Sequence, residues 1–129
     1  MKKKILLIED EQDMNFRLIN QLKECYDLEI AVSIDAAINL LKLGKDFELI
    51  FLDIMMPPGP YSSEVTNDGI ETGWIFYERE LRQRPTKVVI WTRNSDILNK
   101  PWGRNVVERL IKSNDESQLL DTARKHLGE

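Results

Sequence analysis

The chain has 129 residues, of which 42% are hydrophobic and 31% charged, and its formal net charge is -4. This composition predicts one globular domain over residues 1–129 and argues against extended disorder. The acidic balance gives no reason to expect nucleic acid or an anionic membrane as a partner. The apolar runs are too short for a signal peptide or a membrane helix. With a single cysteine, Cys25, no internal disulfide can form, so we expect a cytoplasmic protein.

Strand-like and helix-like segments alternate along the chain. Short apolar runs predict five strands, at residues 3–9, 28–32, 47–53, 86–92 and 106–112. Five repeats of strand and helix imply a parallel sheet with helices on both faces and right-handed crossovers. Length and order predict the flavodoxin-like doubly wound α/β fold, with strand order 2-1-3-4-5.

The helices are predicted from apolar residues at helical spacing and from capping residues. Asp13 is expected to cap the first helix, Ser33 the second, and Ser113 or Asn114 the last, while Gly44 ends the second. The side chains expected to face the core are Phe16, Ile19, Leu22 and Tyr26, then Ala37, Ile38 and Leu41, then Ile70, Gly73, Trp74, Tyr77 and Leu81, and finally Leu119, Leu120, Ala123 and Leu127.

Two segments depart from regular helix patterns. Residues 55–68 contain three prolines and a glycine, which predicts a long loop. After the fourth strand, residues 95–99 have room for one or two turns only, because Pro101 and Gly103 disfavour a longer helix. We therefore expect a shortened fourth helix, and Trp102 either fills the space that it leaves or anchors a partner.

Polar side chains gather where the predicted strands end. Glu9 and Asp10 end the first strand, Asp53 the third, Thr92 the fourth and Lys112 the fifth. In open α/β sheets this carboxyl edge is where ligands bind. Burying repelling carboxylates there is costly unless a cation or a proton joins them. The pattern therefore predicts a functional site at this edge.

The residue types at this edge suit phosphoryl transfer. Asp10 and Asp53 offer hard oxygen ligands of the kind that Mg²⁺ prefers. A carboxylate can act as a nucleophile and form an aspartyl phosphate. A phosphoryl group on Asp53 would be stabilised by the metal, by the ammonium of Lys112 and by the hydroxyl of Thr92.

The chain resembles, over its whole length, the response-regulator receiver domains of two-component signalling. The matching pieces are Ile8-Glu9-Asp10, Leu52-Asp53-Ile54-Met55-Met56-Pro57, Asp68-Gly69, Thr92 and Lys112. The resemblance implies that Asp53 accepts phosphate from a histidine kinase or a phosphotransfer protein. It also implies that Glu9 and Asp10, with the backbone carbonyl of Met55, arrange Mg²⁺ at Asp53.

The same resemblance implies that Thr92 and Lys112 contact the phosphoryl group and report its arrival. Some positions depart from the usual receiver pattern. Arg93 follows Thr92 where a small residue is usual, and Arg109 stands where an aromatic residue usually precedes the lysine by three positions. With Trp102, these two arginines are candidate switch or output residues. Residues 58–67 form an insertion.

The leading interpretation is a stand-alone phosphoacceptor, not an enzyme, which signals to an unknown downstream protein by protein–protein interaction. No output domain is expected within 129 residues. One alternative is a phosphorylation-independent pseudo-receiver that only binds partners, which Arg93, Arg109 and the shortened helix favour. Another is a flavin carrier or an aspartate-based phosphatase. The acidic turn Glu9-Asp10-Glu11-Gln12 disfavours a flavin phosphate, and Met55 stands where such a phosphatase needs a second aspartate.

Overall fold

The computed structural model describes residues 2–10, 16–113, 115 and 117–128. Within these residues five strands alternate with helices. The strands are β1 (Lys4–Ile8), β2 (Asp27–Ala31), β3 (Leu49–Leu52), β4 (Lys87–Thr92) and β5 (Val106–Ile111). The helices are α1 (Phe16–Cys25), α2 (Ile34–Lys42), α3 (Ser63–Thr66), α4 (Thr72–Phe76) with a π-helical continuation (Tyr77–Leu81), a 3₁₀ helix (Ser95–Asn99) and α5 (Gln118–Leu127).

The five strands form one parallel sheet in the order β2-β1-β3-β4-β5, which confirms the predicted flavodoxin-like topology. Every neighbouring pair is parallel, with Ile8 opposite Leu52 and Thr92 opposite Ile111. The carboxyl ends of β1, β3, β4 and β5 therefore meet at one edge. The sheet brings together the polar residues that follow these strands.

Alternate residues of each strand pack against opposite faces of the sheet. Leu6 and Ile50 lie in the core cluster that includes residues of α2 and α4, and Leu7 and Phe51 lie in the cluster that includes residues of α1 and α5. Because β1 and β3 are buried on both faces, their sequences are continuous apolar runs. None of the helices in the described ranges is long and apolar enough to cross a membrane.

The predicted helix ends are correct in the second helix and wrong in the last. The hydroxyl of Ser33 accepts a hydrogen bond from the Ala36 N–H, and Gly44 lies just past the helix at a φ of 75°. In contrast, α5 begins only at Gln118. Ser113 does not cap this helix, because its hydroxyl accepts from the N–H of Asp115 in the preceding turn. Asp13 and Asn114, the other predicted caps, lie outside the described residues.

The predicted apolar faces need two corrections. Phe16 begins α1 and is 77% exposed, whereas Leu18 and Leu22 are the buried side chains of that helix. Ile70 precedes α4 and is 39% exposed, because the helix begins only at Thr72. The predicted face of α5, by contrast, is buried throughout.

The insertion between the third strand and α4 has structure of its own, so the expectation of an irregular loop over residues 55–68 is wrong in part. Ser62 caps the short helix α3, and the side chain of Thr66 is fully buried. The carbonyl of Gly69 accepts a hydrogen bond from the Met56 N–H at 3.2 Å, which returns the chain to the segment that follows β3. A Cβ on Gly69 would lie 2.9 Å from the Met56 carbonyl oxygen, so the return requires glycine.

The fourth helix is shortened as predicted, to the 3₁₀ helix Ser95–Asn99. Trp102 fills the space beside it, with its ring centroid 4.8 Å from Trp74 and 5.1 Å from Tyr77. Its indole N–H donates to the carbonyl of Ile97. Because only 9% of Trp102 is exposed, it serves as a core side chain, and the alternative of a surface anchor is not supported.

Candidate functional site

The sheet places the two central acids at neighbouring strand ends. The N–H of Asp53 donates to the carbonyl of Ile8, and the N–H of Glu9 donates to the carbonyl of Ala31. These bonds extend the strand pairing by one residue past β1 and β3. Glu9 and Asp53 are 1% and 3% exposed, so both carboxyl groups are withdrawn from bulk water.

Lys112 joins the two acids from the end of β5. Its ammonium Nζ lies 3.2 Å from Oδ2 of Asp53 and forms a close ion pair with Oε2 of Glu9. The Lys112 side chain is 4% exposed. The Lys112 N–H donates to the carbonyl of Thr92, which ties the start of this side chain to β4. The lysine is thus fixed at both its backbone and its ammonium end.

Burial dominates the electrostatics of the cluster. Burial, together with the neighbouring Asp53, raises the pKa of Glu9 from 4.5 to about 7, although Lys112 opposes the shift. Burial also raises the pKa of Asp53, against the hydrogen bonds and the positive charge around it. Burial alone would lower the pKa of Lys112, but its two carboxylate partners outweigh this effect and raise it. The two buried acids thus have raised pKa values even with the ammonium of Lys112 beside them.

The cluster also contains the expected metal ligands. Carboxylate oxygens of Glu9, Asp10 and Asp53 all lie within 4.8 Å of one another, with Asp10 half-buried at the outer side. Hard oxygen donors gathered at one rim in this way fit Mg²⁺. The N–H of Met55 donates to Oδ1 of Asp53 at 3.3 Å, so the Met55 peptide lies beside the Asp53 carboxylate. The role of its carbonyl as a ligand stays a prediction.

An open cleft of about 310 Å³ borders the acidic cluster. It is lined by Asp10, Met55, Met56, Pro57, Asp68, Gly69 and Ile70. The side chain of Met55 is 43% exposed there, while Met56 is buried in the core. A larger cleft of about 540 Å³ lies around Lys2, at the opposite edge of the sheet from Asp53. Of these two clefts, the smaller one gives access to the cluster.

Thr92 and Arg93 lie where β4 ends. Thr92 is fully buried, and its hydroxyl oxygen accepts a hydrogen bond from the N–H of Asn94 at 3.2 Å. The register places Thr92 two residues beyond Ile90, which pairs with Leu52, the residue just before Asp53. Arg93 is exposed. The hydroxyl thus lies at the same edge as the acidic cluster, and its contact with a phosphoryl group remains a prediction.

Arg109, the residue at the usual aromatic position, has a defined partner. Its guanidinium donates a hydrogen bond to the backbone carbonyl of Leu98 at 2.9 Å. The side chain is exposed and bridges β5 to the 3₁₀ helix Ser95–Asn99. This bridge could not be predicted from the sequence, because the partner of the arginine is a main-chain carbonyl in another element, and every residue type has such a carbonyl.

Two residues of the site were not predicted from the sequence. The ring of Trp91 lies 4.5 Å from Nζ of Lys112. The sequence feature that could have pointed to Trp91 is its position, as a lone aromatic residue directly before Thr92 on a strand of aliphatic residues. Gly73 lets α4 pack closely against the end of β3, since a Cβ there would lie 2.6 Å from the Asp53 carbonyl oxygen. Gly73 was expected only as part of a helical face.

Comparisons with solved structures identify the fold. A response regulator receiver domain of Methanospirillum hungatei aligns with 97% of this chain and 93% of its own at 21% identity, with a TM-score of 0.74. The BeF3-activated DrrB receiver domain aligns over 100% of both chains at 20% identity, with a TM-score of 0.71. The response regulator TrrA of Thermotoga maritima, solved with Mg²⁺ and beryllium fluoride, covers 97% of this chain and 99% of its own at 20% identity, with a TM-score of 0.65.

No protein-family model matches the sequence, and a search of curated proteins finds no match. At identities of 20–21% the likeness to these solved structures establishes the fold. The expected resemblance to receiver domains is therefore confirmed at the level of the fold.

Proposed function

We propose that this protein is a phosphoacceptor of the receiver type, in which Asp53 takes a phosphoryl group from a histidine kinase or a phosphotransfer protein. The observation that carries the proposal is the placement of Lys112. Its ammonium lies 3.2 Å from Asp53 and also pairs with Glu9, in a cluster that is almost fully buried. A single acid would suffice to pair with Lys112, and the further carboxylates of the cluster are ligands that a metal ion can join.

The reaction is a displacement at phosphorus. An oxygen of the Asp53 carboxylate forms a bond to phosphorus, the phosphorus–nitrogen bond of a phosphohistidine breaks, and the electron pair stays on the leaving imidazole. Lys112 neutralises charge on the transferred group, and the hydroxyl of Thr92 donates a hydrogen bond to one of its oxygens. Positioning and charge stabilisation supply most of the catalysis in phosphoryl transfer, so no further acid or base is needed.

Glu9, Asp10 and Asp53, with the backbone carbonyl of Met55, would hold a Mg²⁺ ion. When bound, the ion supplies positive charge to the phosphoryl oxygens. The raised pKa of Glu9 and the close carboxylate spacing support this assignment, because ionised carboxylates that are buried near one another are stabilised by a cation. Lys112 already offsets part of the negative charge through its ion pairs with Glu9 and Asp53.

The phosphorylated form would signal through an altered surface that a downstream protein recognises. The protein is then not an enzyme acting on a separate substrate, although it takes part in its own phosphorylation and dephosphorylation. In this proposal the protein acts as a single domain in the cytoplasm, where phosphate donors of this class would reach it. The insertion at residues 58–67 begins five residues after Asp53 in the sequence, and the residues on either side of it, Pro57 and Asp68, line the cleft.

The test is covalent modification by a small phosphodonor. Incubation with acetyl phosphate and Mg²⁺ is expected to add one phosphoryl group to the native chain by intact mass, and hydroxylamine should remove it. Asp53→Asn should abolish the addition and stay folded by circular dichroism. Asp46→Asn, at the opposite edge of the sheet, is the matched control and should react as the native chain does. A phosphoryl group retained on the Asp53→Asn variant, or stable to hydroxylamine, would contradict the proposal.

A second candidate is a pseudo-receiver that binds partners without phosphorylation. The hydrogen bond between Arg109 and Leu98 favours it, because it fixes the segment that follows β4 before any phosphoryl group arrives. This candidate predicts no modification by acetyl phosphate and equal partner binding by the native chain and the Asp53→Asn variant. The proposed phosphoacceptor predicts the reverse in both measurements.

A further inference from the structure

Lys112 is held by more than its two acids. Its Nζ lies 4.5 Å from the ring centroid of Trp91, on β4, in addition to its contacts with Glu9 and Asp53. Trp91 is 5% exposed, so the ammonium and the ring meet away from bulk water. A cation over the face of an indole is attracted by the negative charge of the ring face, and this attraction is strongest where both groups are desolvated.

Trp91 is itself held by a glutamine that also holds both neighbours of Lys112. The indole N–H donates to Oε1 of Gln118 at 3.1 Å, and the N–H of Ser113 donates to the same oxygen at 3.2 Å. The side-chain amide of Gln118 donates to the carbonyl of Ile111 at 2.8 Å. The backbone on either side of Lys112 is therefore tied to the residue that carries the ring.

We propose that Trp91, with Gln118, is a positioning residue for Lys112: the ring face directs the ammonium toward Asp53, and Gln118 fixes the backbone from which the lysine extends. The inference rests on the proposed function, because it assigns the means by which the lysine is placed for a phosphoryl group. An indole at this position restricts a side chain that otherwise has several rotatable bonds. Trp91 acts through Lys112 and does not touch the transferred group.

The first measurement does not depend on phosphoryl chemistry. Acetic anhydride is expected to acetylate Lys112 slowly in the native protein, as quantified by peptide mass spectrometry. Trp91→Leu and Gln118→Leu should each raise that rate roughly 3- to 30-fold. Trp91→Phe keeps an aromatic face and should stay near the native rate. Lys3, a partly buried lysine at the opposite edge, reports general loosening and should not change.

A matched control separates positioning from loss of core volume. Trp102→Leu removes a buried indole from the core cluster of Leu6 and Ile50, which does not include Trp91. It should lower stability without changing Lys112 acetylation relative to Lys3. Gln118 is only half-buried, so Gln118→Leu stays informative if Trp91→Leu does not fold. An unchanged Lys112 rate in Gln118→Leu and in a folded Trp91→Leu would overturn the proposal.

The second measurement is a double-mutant cycle on the affinity for beryllium fluoride with Mg²⁺, a phosphoryl mimic. Trp91→Leu should weaken binding roughly 3- to 30-fold in the native background and have no effect in the Lys112→Met background. An equal loss in both backgrounds would mean that Trp91 acts only as a core residue, against the proposal. If the native chain does not bind beryllium fluoride, the proposed function fails, and acetylation of Lys112 alone decides the role of Trp91.

Discussion

The guanidinium of Arg109 donates a hydrogen bond to the backbone carbonyl of Leu98 at 2.9 Å, joining β5 to the 3₁₀ helix Ser95–Asn99. This bond lies at the position where receiver domains usually place an aromatic switch. Burying a charged guanidinium during activation would be costly, so rotation of this side chain into the core is not expected. The bridged segment follows Thr92 directly. We therefore expect a contact between a phosphoryl group and the Thr92 hydroxyl to alter the hydrogen bond between Arg109 and Leu98.

We predict that phosphorylation changes hydrogen exchange in residues 93–105 and in the insertion, residues 58–67, and changes it little along residues 119–127. These two segments follow Thr92 and Asp53 in the chain, so we expect a structural change at the phosphoryl group to reach them first. Their helices are short, and we expect their local stability to be low. Arg109→Gln should by itself speed exchange at residues 95–99, since the bond to Leu98 is lost. Exchange changes confined to α5, with both segments unaltered, would mean that the output surface lies there instead.

Mg²⁺ is expected to stabilise the fold through the acidic cluster. The gain should be on the order of 1–3 kcal/mol at concentrations well above Kd, because a ligand that binds only the folded state stabilises it by RT ln(1 + [L]/Kd). Asp10→Ala should remove the dependence, and Asp46→Ala, far from the cluster, should retain it. Thermal unfolding with MgCl₂ against NaCl of equal ionic strength measures the effect. A midpoint that does not respond to Mg²⁺ would count against the metal site.

The stability of the metal-free protein should fall as pH rises from about 4.5 to about 7, in the range set by the raised pKa of Glu9. The folded state keeps a proton on this buried acid that the unfolded state releases, so the stabilisation is full below 4.5 and lost as pH passes 7. Glu9→Gln cannot ionise and should flatten this part of the profile. Denaturant unfolding in EDTA at several pH values tests it, and a native profile that rises over this range would contradict the prediction.

Gly73→Ala is expected to destabilise the protein by roughly 1–3 kcal/mol, because added volume in a tight contact forces the backbone apart. Its Cβ would lie 2.6 Å from both the carbonyl oxygen of Asp53 and the Cα of Ile54. Moving α4 away from this strand end should also weaken Mg²⁺ binding. Gly44→Ala is the comparison, since a Cβ there has nothing within 4 Å, and any cost comes from its left-handed backbone. Equal metal affinity in Gly73→Ala and the native chain would show that this contact does not place the acceptor.

The phosphorylated form should lose its phosphoryl group slowly, over minutes or longer. Met55 borders the cleft beside Asp53 and is 43% exposed, but its thioether side chain cannot orient an attacking water. Met55→Asn, which can, should speed hydrolysis roughly tenfold, equivalent to about 1.4 kcal/mol of barrier. Ile70→Asn makes the same cleft polar without adjoining Asp53 and should have little effect. Decay of the native acyl phosphate within seconds would show the inference to be wrong.

The sequence by itself determined the topology and the membership of the acidic cluster. Apolar strands are followed by Glu9, Asp53 and Lys112. These residues must lie close together, because parallel strands all place their carboxyl ends at one edge of the sheet. The shortened helix was also predictable, since Pro101 and Gly103 disfavour a longer one. Each of these inferences rests on local sequence and on a general rule of sheet topology.

Only the tertiary structure decided which side chains meet across elements. The contacts of Trp91 with Lys112 and of Arg109 with Leu98 join residues whose spacing in the chain carries no signal. Phe16 was expected in the core and is exposed, because the rotation of a helix about its axis is set by what it packs against. Charge and periodicity determine where a site forms. The packing of neighbouring elements determines the direction of each side chain, and with it how Lys112 is held beside Asp53.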